Sequence, residues 1–132
     1  MSKQQLDSAL RKAAAVWVAP DGHRARLVWA LWPGSGPYVG HLLVACGGTD
    51  QHVAGLVDGA HVTVVVARAG TRSAMLTVQS TAVLVSLDEP SAAAMAAARR
   101  NAEPGWAQVY AMDLVGVHGP GARTDSLPSW RR

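Results

Sequence analysis

A short polar loop between two apolar, β-branched stretches holds the residues best suited to chemistry. It spans residues 46–52 and reads Cys-Gly-Gly-Thr-Asp-Gln-His. Paired glycines accept positive φ angles, and such a loop can turn its backbone N–H groups toward an anion. Thr49 would cap a helical turn over residues 50–56, whose N-terminus also favours negative charge. We therefore predict an anion site that includes Gly48 and Thr49; the alternative is a tight turn between a strand and a helix, without a ligand.

Arginines provide the second set of candidate residues. Arg24 and Arg26 are two residues apart in a stretch that is typical of a strand, so their side chains would share one face. A guanidinium group presents paired N–H donors that match the oxygens of a phosphate. The pair is predicted to clamp a phosphate group, or else to form a solvated strand edge. Arg72, at the start of a later strand, is a third candidate for the same role.

The remaining chemical groups do not combine into a recognisable centre. The five histidines show neither the HxH nor the HExxH spacing, so no metal site is predicted. Cys46, Asp50 and His52 are close in sequence, but a nucleophile and its base must also meet in space with a third group behind them. Adjacency in one loop does not supply this arrangement, and we do not predict a hydrolase.

Composition indicates a single globular domain and excludes several classes of protein. Apolar residues make up 49% and charged residues 16% of the chain, which separates it from disordered proteins. The net charge of +3 is spread in ones and twos without a basic stripe, so nucleic-acid binding is not predicted. The single cysteine allows no internal disulfide and is typical of a reducing compartment. The sequence has no secretory h-region and no apolar run of membrane length, so a cytoplasmic location without membrane contact is expected.

Hydrophobic periodicity predicts two helices and six strands. The helices are expected at residues 2–14 and 88–100, and the strands at 16–19, 23–32, 38–45, 62–68, 73–86 and 106–117. The first three strands follow one another closely and are predicted to form an antiparallel meander. The strand at 73–86 is long enough to bend between two sheets. This order predicts a mainly β domain over residues 1–118, either a small barrel or a sandwich, followed by a flexible tail over 119–132.

Three segments resemble the FMN-binding split-barrel family, the group around pyridoxamine 5′-phosphate oxidase. They read VWVAPDGHRARLVWALW, GGTDQHVAGLVDGAHVTVVV and TRSAMLTVQSTAVLV, and the resemblance extends over residues 6–117. In that family an opening helix leads into a hairpin, and a strand then enters a loop with Thr or Ser before a Val-rich strand. The resemblance implies a six-stranded antiparallel split β-barrel with α-helices, assembled as a homodimer.

The same resemblance implies an oxidoreductase with FMN, or the related deazaflavin, bound at the subunit interface. It places the cofactor phosphate against the second strand and against the loop after the third strand. Together with the anion-site candidates above, the expected cofactor-binding residues are Arg24, Arg26, Gly48, Thr49, Gln51, His52 and Arg72. Many flavin-binding members carry a lysine or arginine where this chain has Gln51 and His52. A dimeric member of the family without catalytic activity is therefore the alternative.

Aromatic residues and histidines add two further expectations. Trp29, Trp32 and Trp106 would either stack on a flavin ring or anchor the core and the interface. Five tryptophans and two apolar strand faces exceed what a small barrel buries inside, which favours a dimer. Haem or biliverdin is a third possibility in such a fold, with His41 or His52 as the ligand.

Overall fold

A computed structural model describes residues 3–12, 15–48, 50–67, 75–99 and 105–115. Within these ranges the chain forms two helices and six strands. They are α1 (Lys3–Lys12), β1 (Ala15–Pro20), β2 (Arg26–Trp29), β3 (His41–Cys46), β4 (His61–Ala67), β5 (Met75–Val85), α2 (Glu89–Arg99) and β6 (Gln108–Asp113). The predicted tail over 119–132 lies outside the described residues.

The strands form one antiparallel sheet that curls into a nearly closed barrel. The strand order is β2-β1-β4-β5-β6-β3. Beyond the end of β2, Leu31 pairs with Leu43 of β3, and each backbone N–H donates to the other residue's carbonyl oxygen at 2.9 Å. This single bridge joins the two edges of the sheet, since β2 and β3 are its outer strands. The prediction of a mainly β, six-stranded antiparallel split barrel with helices is confirmed.

The long strand β5 belongs to both halves of the barrel. Its residues 75–81 pair with β4, and its residues 82–85 pair with β6. Because a strand of this length must follow the curvature of a barrel, it changes partners along its course. The prediction that this strand bends between two sheets is confirmed.

The meander predicted for the first three strands is wrong. Strands β1 and β2 pair as a hairpin, but β3 pairs along its whole length with β6. The intervening segment contains Pro33 and Pro37, which lack the N–H that a ladder needs, and residues 34–40 form bends and turns. Gly40 has a φ of 88°, which ends the turn and directs the chain into β3.

The helical turn predicted over residues 50–56 is also wrong. This segment contains a bend at Asp50 and a turn at residues 54–55, and the N–H of Leu56 donates to the carbonyl oxygen of Val53 at 3.2 Å. Gly55 has a φ of 86°, which is incompatible with continuing a right-handed helix. A side chain at this position would also overlap the imidazole ring of His23.

Two apolar clusters lie on opposite sides of β3. The cluster inside the barrel contains the fully buried Val62, Val64 and Val66 of β4 and receives Leu6 and Leu10 from α1. The second cluster lies under α2, whose Met95 is completely buried. Its buried members are Leu43, Ala45, Met95, Val109 and Ala111. Alternate residues of β3 point into different clusters, so this strand is covered on both faces.

No helix among the described residues is long and apolar enough to cross a membrane.

Replacing Leu43 by alanine is expected to lower the free energy of unfolding by about 2–5 kcal/mol, because Leu43 is completely buried between β6 and α2. The matched control is Leu84→Ala, whose side chain is 47% exposed, with an expected loss of about 1 kcal/mol or less. Urea unfolding of both variants measures the difference. Equal losses of unfolding free energy in Leu43→Ala and Leu84→Ala would contradict a second apolar cluster under α2.

Candidate functional site

The two glycines of the loop over residues 46–52 allow it to pack closely against the segment that precedes β6. Gly47 and Gly48 have φ values of 86° and 60°. A Cβ atom at Gly48 would fall on the carbonyl oxygen of Gly105. The N–H of Ala107 donates to the carbonyl oxygen of Cys46 at 3.0 Å. The glycine pair therefore has a structural function, because close approach and positive φ both exclude larger residues.

Backbone amides of this loop donate hydrogen bonds within the loop. The N–H of Gly47 donates to the carbonyl oxygen of Gln51 at 2.9 Å, and that of Asp50 donates to the carbonyl oxygen of Gly47 at 3.0 Å. The N–H of Gln51 donates to Oδ1 of Asp50 at 2.8 Å. An anion bound by the loop would have to compete with these internal acceptors.

The side chain of Gln51 connects the two outer strands of the sheet. Its Oε1 accepts from the backbone N–H of Trp29 at 3.0 Å. Its Nε2 donates to the carbonyl oxygens of Trp29 and Ala45, both at 2.9 Å. Since Leu31 and Leu43 form a hydrogen-bonded pair, Trp29 and Ala45 would form the next hydrogen-bonded pair in an antiparallel register. The carboxamide occupies the space between these two residues and replaces the missing backbone pair.

The carboxylate of Asp50 fixes an aromatic pair beside the loop. Its Oδ1 accepts from Nε1 of Trp29 at 2.8 Å. The indole of Trp29 in turn packs against that of Trp106, with ring centroids 6.1 Å apart and ring planes at 58°. Both tryptophans pack on the cluster under α2, so the observed packing is that of core anchors.

Cys46 is buried beside this carboxylate. Burial raises the pKa of the Cys46 thiol, and the negative charge of Asp50 raises it further. Both effects disfavour the thiolate, which is the nucleophilic form. The thiol is therefore protonated near neutral pH and is a poor nucleophile.

The predicted site residues lie in two places. Gly48, Gln51 and His52 lie in the loop, where Gly48 and His52 are exposed. The two arginines lie at the hairpin of β1 and β2 and are exposed; Arg26 is opposite Val18 in β1, and Arg24 precedes the strand. The hairpin and the segment after the loop meet where His23 contacts Gly55. Thr49 and Arg72 lie outside the described residues.

An exposed sheet surface was not predicted as a functional feature. Trp17 and Leu27 are paired between β1 and β2 and are 42% and 55% exposed. Val65 and Thr77 continue the same row across β4 and β5. The row beside it consists of Ala19, Thr63 and Gln79, and we call these seven residues the Trp17 face. The face contains no charged residue. The sequence contains a signal for this surface. Because side chains alternate along a strand, Trp17 lies on the other face of the sheet from its neighbours Val16 and Val18, which are buried.

A second feature outside the predicted set is a cavity beside α1. It has a volume of about 290 Å³, and its lining residues are Asp7, Arg11, Trp32, Pro33, Gly34 and Val39. No single run of the sequence indicates it, because its walls come from two segments more than twenty residues apart.

Among the described residues, no three His, Cys, Asp or Glu side chains are grouped in a way that could hold a metal ion. No protein-family model matches the sequence, and comparison with curated proteins and with solved structures finds no similar chain.

Replacing Gln51 by alanine is expected to lower the free energy of unfolding by about 1–3 kcal/mol, because the N–H of Trp29 and the carbonyl oxygen of Ala45 lose their partner. The neighbouring His52→Ala is the control. His52 is exposed, and a change of about 0.5 kcal/mol or less is expected. Chemical denaturation measures both values. An unchanged free energy of unfolding in Gln51→Ala would contradict a structural function for this side chain.

Cys46 is expected to react with a thiol reagent at least about tenfold more slowly in the native protein than in denaturant. Because the pKa of Cys46 is raised in the folded state, the unfolded thiol loses its proton first as pH rises. The free energy of unfolding should therefore fall as pH increases through the ordinary pKa of 9.0. A cysteine at exposed position 52 in the double variant Cys46→Ala, His52→Cys is the control and should react rapidly. Equal rates at the two positions would show that Cys46 is not protected.

Proposed function

We propose that this protein is an oxidoreductase of the FMN-binding split-barrel type, which binds FMN or a deazaflavin at the interface of a homodimer. The observation that carries the proposal is the exposed, uncharged Trp17 face on the same strand pair whose hairpin end carries two exposed arginines. The resemblance of the sequence to pyridoxamine 5′-phosphate oxidase-like proteins and the split-barrel architecture support it.

The Trp17 face supports a dimer. Trp17 and Leu27 are exposed apolar side chains in direct cross-strand contact, and the residues around them are alanine, valine, threonine and glutamine. Contiguous exposed apolar surface is typical of interaction sites. A twofold axis through the face would place the same residues of two copies against each other, as an isologous interface requires.

The arginines supply the charge that the face lacks. Arg26 is exposed but pairs with the buried Val18, so its side chain leaves β2 on the other side of the sheet from Leu27, and Arg24 lies in the adjoining hairpin. At the rim of a dimer interface, their guanidinium groups would bind the phosphate of a cofactor through paired hydrogen bonds. The indole of Trp17 would offer an aromatic surface to a flat ring. The bound flavin or deazaflavin supplies the hydride chemistry, while the residues of this chain bind and orient it and exclude water.

A second candidate function is that of a dimeric split-barrel protein without catalytic activity. The hydrogen bonds of the loop over residues 46–52 favour it. The carboxamide of Gln51 is bound to the backbone of β2 and β3, and the carboxylate of Asp50 lies in the same loop. A negative charge there disfavours a phosphate, so the loop would contribute little to cofactor binding.

Titration of the purified protein with FMN and with a deazaflavin tests the first candidate. Visible absorption and thermal shift should both report saturable binding of one cofactor, since a ligand that binds the folded state raises its melting temperature. The double variant Arg24→Gln, Arg26→Gln should weaken that binding by about tenfold or more, because each charge-assisted hydrogen bond contributes about 1.5–3 kcal/mol. Arg11→Gln removes a positive charge from α1, away from the hairpin, and should leave the affinity unchanged.

The oligomeric state, measured together with cofactor binding, distinguishes the two candidate functions. Wild-type protein should sediment as a dimer, and Trp17→Glu should be a monomer that no longer binds cofactor, because the variant buries a carboxylate at the interface. A dimer that binds neither cofactor would overturn the oxidoreductase and support the non-catalytic alternative. A wild-type monomer, or a Trp17→Glu dimer, would overturn the interface on which the first candidate depends.

A further inference from the structure

The cavity beside α1 has the size and the lining of a small-molecule site. Its volume of about 290 Å³ lies near the lower limit of ligand pockets, which range over roughly 300–1,000 Å³. One wall comes from α1, and the others come from the segment between β2 and β3. A cavity of this size admits a compound with one ring and a short polar group.

A rigid aromatic side chain forms part of the lining. Nε1 of Trp32 donates to Oδ1 of Asp7 at 2.8 Å, which fixes the orientation of the indole relative to α1. The indole also packs against the cluster inside the barrel. Because both contacts hold the ring, little side-chain entropy would be lost when a ligand packs against it.

A positive charge borders the same cavity. Arg11 lies four residues after Asp7, so both side chains are on one side of α1, and Arg11 is exposed. The carboxylate of Asp7 already accepts the indole N–H and thereby positions the ring. Two opposite charges therefore line the cavity, and the remaining lining residues, Pro33, Gly34 and Val39, are uncharged. Asp7 already accepts a hydrogen bond and would repel an anion, so a ligand carboxylate would have to bind on the side of Arg11 that faces away from Asp7.

We propose that this cavity binds a small aromatic carboxylate, with its ring against Trp32 and its carboxylate on the guanidinium of Arg11. The site is independent of the proposed cofactor site. Arg11 belongs to α1 and precedes β1 in the chain, whereas Arg24 lies in the hairpin beyond the far end of β1. Arg26 is opposite Val18, which lies about 10 Å along β1 from Ala15. Failure of flavin binding would therefore leave this proposal unaffected, and the reverse also holds.

Titration with benzoate tests the proposal, followed by the resonance of the indole N–H of Trp32 in ¹H–¹⁵N spectra. That resonance is assigned by its loss in Trp32→Phe. Saturable shifts with an affinity in the millimolar range are expected, since a ligand of this size has few atoms to contribute. Benzyl alcohol and benzylamine have the same ring without the negative charge and should bind at least about tenfold more weakly.

Three variants make the test specific. Arg11→Gln should weaken benzoate binding by about tenfold, and Arg24→Gln, at the other end of β1, should not change it. Val39 is 40% exposed, so Val39→Glu and Val39→Gln should both fold; only the former, which adds a negative charge, should abolish binding. Absence of a saturable shift, equal binding of benzylamine, or unchanged affinity in Arg11→Gln would each overturn the proposal.

Discussion

The closure of the barrel and the shape of the loop over residues 46–52 both depend on the hydrogen bonds of the Gln51 carboxamide. A primary amide presents donors and an acceptor in one plane, as a peptide group does, and it can therefore stand between the backbones of Trp29 and Ala45. Without it, closure through Leu31 and Leu43 would leave three backbone groups without this partner: the N–H and the carbonyl oxygen of Trp29 and the carbonyl oxygen of Ala45. Because Gln51 is bound on both sides, the positions of Gly47 and Asp50 are fixed as well.

Among the described residues, a helix covers the outer surface of the barrel on one side only. Helix α2 packs on β3 and β6 through Met95, which turns the outer surface of these strands into a second core. On the remaining strands the outer surface is the Trp17 face, which no described helix covers. This asymmetry explains why the same sheet contains a strand covered on both faces, β3, and an exposed tryptophan. It also explains why the proposed interface lies on β1 and β2 rather than around the loop.

Much of the fold follows from local sequence patterns, whereas most contacts of the site do not. The valine-rich stretch of β4 predicts a strand and the length of β5 predicts a bent one, because both properties are encoded in successive residues. The pairing of β3 with β6 joins chain segments that are far apart in sequence. Strands that follow one another in the chain usually pair, and that general preference predicts the wrong partner for β3. Gln51 resembles a surface residue in the sequence. Its function becomes visible only when the register of Leu31 and Leu43 places two backbones on either side of it.

The pairing of β3 with β6 has a consequence for folding during synthesis of the chain. Strand β3 ends at Cys46, but its ladder partner β6 begins at Gln108, so more than sixty residues must leave the ribosome before the two can pair. Until then the apolar β3 lacks both the strand beside it and the helix that covers its outer surface. The nascent chain thus carries an unpaired apolar strand until β6 has been synthesised, and that strand must be shielded from other chains over this interval.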